Sequence, residues 1–99
     1  MVPSRNNAAR NIQLKAELSA MQRFFFDLQF DDEKPSEDEE GVLLPDVEAA
    51  QLEAARSLSD FSRAIVDSKE RLGKLTIHVR DDRGPVLIAA LRFEIKRLN

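Results

Sequence analysis

The stretch QRFFFDLQF, Gln22 to Phe30, alternates so cleanly that an extended chain puts Phe24, Phe26, Leu28 and Phe30 on one side and Arg23, Phe25, Asp27 and Gln29 on the other. A period of two is the mark of a half-buried strand. It recurs twice towards the C-terminus. Lys74 to Arg80 turns Leu75, Ile77 and Val79 one way and Thr76, His78 and Arg80 the other, and Val86 to Ile95 places Leu87, Ala89, Leu91, Phe93 and Ile95 on one face. The turn residues DDRGP, from Asp81 to Pro85, join these two as a hairpin.

Between the outer strands the period changes. Pro45-Asp46 opens a helix, with Asp46 as the N-cap acceptor and Glu48 well placed against the dipole in the first turn. Val47, Ala50, Ala54, Leu58, Phe61 and Ile65 recur at three and four, and Leu52, Ala55 and Val66 widen that stripe. The expected end lies between Asp67 and Leu72, with Lys69 and Arg71 near the negative pole and Gly73 as the stop. Val42, Leu43 and Leu44, preceded by Gly41, read as a short strand hairpin-paired with the first. The resulting order, strand, strand, helix, strand, strand, predicts a two-layer α+β fold: a four-stranded, mainly antiparallel sheet with one long helix on one face.

One helix covers only one face of such a sheet. The other carries Phe25 together with Val86, Ile88 and Ala90, with His78 and Arg92 nearby, and an apolar patch on a small chain marks an interface. Phe25, His78, Ile88, Ala90 and Arg92 are therefore the candidate interface residues, and a homodimer is the expected assembly.

Ninety-nine residues form one core at most. Residues 21–98 are read as a single α+β domain, beginning at the second methionine, Met21. Residues 1–20, short of large apolar groups beyond Ile12, Leu14 and Leu18, read as a flexible or weakly helical extension. No apolar run approaches the roughly 20 residues of a membrane helix, and no apolar segment followed by a small-residue cleavage site suggests secretion, so the expected compartment is the cytoplasm. Without cysteine, thiol chemistry, disulfides and thiolate metal sites are excluded.

The net charge of -3 conceals an asymmetry: eleven acids against one base, Lys34, between Asp27 and Glu53, and nine bases against five acids between Arg63 and Arg97. Glu37, Asp38, Glu39 and Glu40 make the densest acidic run and a candidate docking loop for a small basic partner. As an EF-hand loop the run fails, because counting from Asp31 puts Ser36 where glycine belongs and Val42 where the closing glutamate belongs. A glycosidase would need aromatic platforms, yet Trp and Tyr are absent. A weak carboxylate metal site remains as an alternative, and a solvated connecting loop is the plainest expectation. His78, the only histidine, stands between Ile77 and Val79 with no nucleophile or carboxylate partner legible in sequence. Gly41, Gly73 and Gly84 lie too far apart for a phosphate cradle. Arg80, Arg83, Arg92, Lys96 and Arg97 lack interleaved aromatic residues and are offset by Asp81, Asp82 and Glu94, which points away from nucleic acid. No cofactor and no catalytic constellation are expected.

QRFFFDLQ, DEEGVLLPDVEAAQLEAARSL and LTIHVRDDRGPVLIAALRF together resemble a family of short uncharacterised bacterial proteins, largely alphaproteobacterial, grouped as a domain of unknown function. The likeness covers roughly Met21 to Leu98, and its most specific part is the D-E-E-G-x-x-L-P-D-x-E-A-A phrase from Asp38 to Ala50. It supports the fold and implies no activity. A shorter likeness, strand, acidic turn, strand, Pro-Asp and a Glu-Ala-rich helix, is similar to antitoxins of the HicB type and implies neutralisation of a small basic toxin.

Overall fold

The computed structural model describes residues 5–68 and 71–99. Its elements are α1 (Arg5–Ala20), β1 (Gln22–Phe30), β2 (Val42–Leu44), α2 (Val47–Asp67), β3 (Leu72–Asp81) and β4 (Gly84–Glu94). The strands form one open sheet in the order β2-β1-β3-β4, every neighbouring pair antiparallel. The expected α+β architecture is thus present, with α2 packed mainly on β3 and β4 and reaching the edge strand β2 near its start.

The alternation in β1 and β3 translates directly into burial. Phe24, Leu75, Ile77 and Val79 are fully or almost fully buried, and Phe26↔Val79, Leu28↔Ile77 and Phe30↔Leu75 sit opposite one another on the face beneath α2. Each large side chain buried in this way stabilises the fold by about 1.5–3 kcal/mol. Ala50 and Ala54 are also fully buried, so the first half of α2 presents methyl groups where the helix approaches Phe24. Asp46 caps the helix as expected, its carboxylate accepting from the Ala49 N–H at 2.8 Å.

Three expectations are corrected. Gly73 does not stop α2: the helix ends at Asp67, where Ser68 turns both its N–H and its hydroxyl onto the Ile65 carbonyl, while Gly73 lies inside β3. Gly73 is needed for close approach, because a Cβ there would stand 2.7 Å from Ile65 Cγ2. Lys69 lies outside the described residues. Second, the apolar stripe of α2 is narrower than its periodicity suggests, since Val47 and Phe61 are 47% and 43% exposed and Leu52, Ala55 and Val66 face solvent. Third, Val86 does not share a face with Ile88: the register shifts between Val79 and Arg80, Val86 has no opposite residue on β3, and it packs on the core beside Leu87. The N-terminal extension is helical, as one form of the expectation had it: residues 5–20 form α1, which among the described residues packs substantially on no other element, and Ile12 is 70% and Leu14 49% exposed. The side chain of Leu18 lies outside the described residues.

Candidate functional site

The sheet face opposite α2 carries Phe25, Asp27 and Gln29 from β1, Thr76, His78 and Arg80 from β3, and Ile88, Ala90 and Arg92 from β4, placed side by side by Phe25↔Arg80, Asp27↔His78, Gln29↔Thr76, Thr76↔Ala90, His78↔Ile88 and Lys74↔Arg92. It divides into two unlike halves.

The β1–β3 half is closed by the chain's own acidic connection. Ser36 pairs with Leu28 through both backbone groups, at 2.7 and 3.1 Å, extending the hairpin beyond β2. Two residues further on the Asp38 carboxylate takes the place of a strand: Oδ2 accepts from Phe26 N–H and Oδ1 from the N–H groups of Glu40 and Gly41, each at 3.1 Å. Asp38 N–H in turn donates to Asp27 Oδ1 at 2.8 Å. Arg80 completes the arrangement, with Nε 2.8 Å from Asp27 Oδ2 and an N–H donated to the Asp38 carbonyl at 2.9 Å, and its guanidinium lies 4.4 Å from the centroid of the Phe25 ring. Gly41 makes the close passage feasible: its φ is +71°, and a Cβ would stand 2.9 Å from the Phe24 carbonyl oxygen. Asp27 is consequently only 8% exposed and Thr76 5%.

The electrostatics follow from these contacts. Burial alone would raise the Asp38 carboxyl, but the N–H donors of Gly41, Phe26 and Glu40, aided by the Arg80 charge, hold it below its ordinary value. Arg80 is raised, first by its hydrogen bond to Asp27 and further by the charges of Asp27, Glu37 and Asp38, against a smaller opposing effect of burial. Asp31 pairs with the start of β3 at the surface, its carboxylate accepting from Lys74 N–H at 2.9 Å while its own N–H donates to the Lys74 carbonyl at 2.7 Å.

So the acidic run is not simply a solvated loop. Asp31 and Asp38 bond backbone N–H groups, whereas Glu37, Glu39 and Glu40 have exposed side chains. A short carboxylate can reach neighbouring backbone where glutamate overshoots, and the aspartate followed by Glu40 and Gly41 is the signal by which Asp38 could have been found in the sequence. Among the described residues no group of three or more His, Asp or Glu is arranged to hold a metal ion.

His78 Nε2 donates to Gln29 Oε1 at 2.7 Å, and Gln29 donates to the Glu33 carbonyl at 2.9 Å, so the histidine is tied to the start of the same loop. Beside it a cleft of about 370 Å³ runs between the loop, represented by Lys34, Pro35 and Glu37, and β4, represented by Pro85 and Ile88, with His78 and Arg80 on its floor.

The β4 half is open. Ile88 is 66% exposed, and Ala90 and Arg92 beside it are exposed too. The five candidate interface residues therefore do share a face, but Phe25 stands apart from the others, beneath Arg80.

No helix among the described residues is long and apolar enough to cross a membrane. Residues 23–93 match the family described as Domain of unknown function (DUF6894). No curated protein and no solved structure matches the chain.

Proposed function

The chain belongs to this family of unknown function, and on that footing we propose that it is a small non-catalytic interaction domain that self-associates through the sheet face α2 leaves uncovered. The observation that carries this reading is the division of that face: the polar half is satisfied internally by Asp27, Asp38 and Arg80, while the β4 half leaves Ile88 66% exposed beside Ala90. Light scattering on a sizing column should show a dimer at high micromolar concentration that Ile88→Lys shifts towards monomer. A wild-type monomer at that concentration, with no change in Ile88→Lys, would remove the proposal.

A second reading has one observation in its favour. Glu37, Glu39 and Glu40 stay exposed on a loop whose backbone is held firmly by Asp38, a fixed acidic surface of the kind a small basic protein would meet. Capture of a basic partner that weakens with salt and is lost on changing these three residues to glutamine would support it; capture unaffected by that change would not.

A further inference from the structure

We infer that self-association runs along the free edge of the sheet, β4 pairing antiparallel with the β4 of a second copy to join the two four-stranded sheets into one. This rests on the self-association part of that reading and moves its seam from the open face to the β4 edge that borders it, with Ile88 at the margin of both.

The two sheet edges are treated differently. On the β2 side the edge strand has three residues, and beyond it the loop occupies β1 through Ser36 and Asp38. On the other side β4 runs eleven residues with its outer backbone groups facing away from β3. Sheet proteins blunt such edges with charge, proline, bulges or brevity. Here Pro85 and the bulge at Val86 lie at one end, Arg92 and Glu94 at the other, and Leu87 to Leu91 carry no charge. Exposed apolar groups flank the edge on both faces, Ile88 on one and Leu91 on the other.

The strand is also complementary to itself. The stretch after Pro85, Val86 to Glu94, has Ala90 at its midpoint. A two-fold axis there sets Ala90 against its own copy, Leu87 opposite Phe93 of the partner subunit, and Ile88 opposite the stem of Arg92 of the partner subunit. No like charges face each other, and pairs of this kind stabilise antiparallel sheets. Charge favours this seam over a stacked one. The acid-rich stretch from Asp27 to Glu53 supplies β1, the loop, β2 and the start of α2, so edge pairing keeps the acidic ends at opposite extremes, whereas face-to-face stacking brings loop towards loop.

The chain has no cysteine, so one introduced thiol reports the seam. Opposed residues of an antiparallel pair lie about 4.5–5.5 Å apart at Cα, inside the roughly 4.4–6.8 Å that a disulfide spans. Under mild oxidation Ala90→Cys should become covalent dimer nearly completely at micromolar concentration, while Leu43→Cys on β2 should not. Exchange of β4 amide hydrogens in the unmodified chain should slow as concentration rises. A dimer by light scattering in which Ala90→Cys stays uncrosslinked and β4 exchange ignores concentration would overturn the edge seam and leave self-association standing. A monomer at every concentration would overturn both.

Discussion

Replacing Asp38 by alanine tests whether the acidic loop is architecture. Its carboxylate receives three backbone N–H groups, of which those of Phe26 and Gly41 are half-buried and that of Glu40 is exposed. A shielded hydrogen bond to a charged acceptor contributes about 1.5–3 kcal/mol; discounting for partial exposure to about 1 kcal/mol for each half-buried donor, and little for the third, the loss is about 2 kcal/mol. Against the roughly 5–15 kcal/mol by which domains are stable, that is a large fraction. With a urea slope of about 1–3 kcal/mol per molar, the midpoint should fall by roughly 1 M with the slope unchanged. Asparagine keeps one acceptor oxygen for Gly41 and Glu40 but turns an N–H towards that of Phe26, so Asp38→Asn should recover only part of the loss. The pH dependence has a definite sign. Because the folded carboxyl is held below its ordinary value of 3.8, the unfolded chain takes up the proton first as pH falls. The contribution is complete above that value and is lost as pH falls through the lower folded one, so the midpoint gap between wild type and Asp38→Asn should narrow in acid. An alanine variant within about 0.5 kcal/mol of wild type, the range of an ordinary surface change, would refute the reasoning.

Three further substitutions probe neighbouring features. Asp46→Ala removes the cap bond to Ala49 and should cost about 1 kcal/mol in denaturant titration. Gly41→Ala meets both the positive φ and the Phe24 carbonyl, so it should destabilise by more than the roughly 1 kcal/mol that glycine-to-alanine changes gain at compatible sites, with the sign reversed, and calorimetry should show a lower melting temperature. Arg80→Lys keeps the charge but loses the two-pronged contact with Asp27 and the Asp38 carbonyl and the stacking on Phe25; loop amides from Ser36 to Gly41 should exchange faster, and unchanged exchange would show that the charge alone suffices.

The parts of this fold that could be read from sequence are those governed by simple repetition. β1 and β3 alternate because one side of each is buried and the other is not, and Asp46 announces α2 because a cap is a local event. What escaped is set by long-range partners. The displacement of Val86 depends on how β4 meets Arg80, and the role of Gly73 depends on Ile65, a residue on another element. The full length of the α2 stripe overstated its buried face, since the sheet beneath it is only broad enough to cover Ala50, Ala54, Leu58 and Ile65 well. The acidic run was opaque for a different reason. Eleven acids look alike in a composition count, yet one methylene separates Asp38, which reaches backbone donors, from Glu37 and Glu39, which point away. Of the face opposite α2, the membership of Phe25, His78, Ile88, Ala90 and Arg92 was legible, but its division was not, because the loop that closes half of it is irregular chain.

The sheet order also governs how the chain is made. β1 is synthesised before the other strands but ends in the middle, and its long partner β3 starts only at Leu72. At about 5–20 residues per second, an aromatic strand containing three consecutive phenylalanines waits roughly 2–8 s on the ribosome for its longest pairing. Such strands nucleate aggregation when flanked by apolar chain, and charged neighbours suppress it. Asp27 within the strand and Asp31, Asp32 and Glu33 immediately after it therefore protect the nascent chain, before Asp27 and Asp31 take up their bonds in the finished fold.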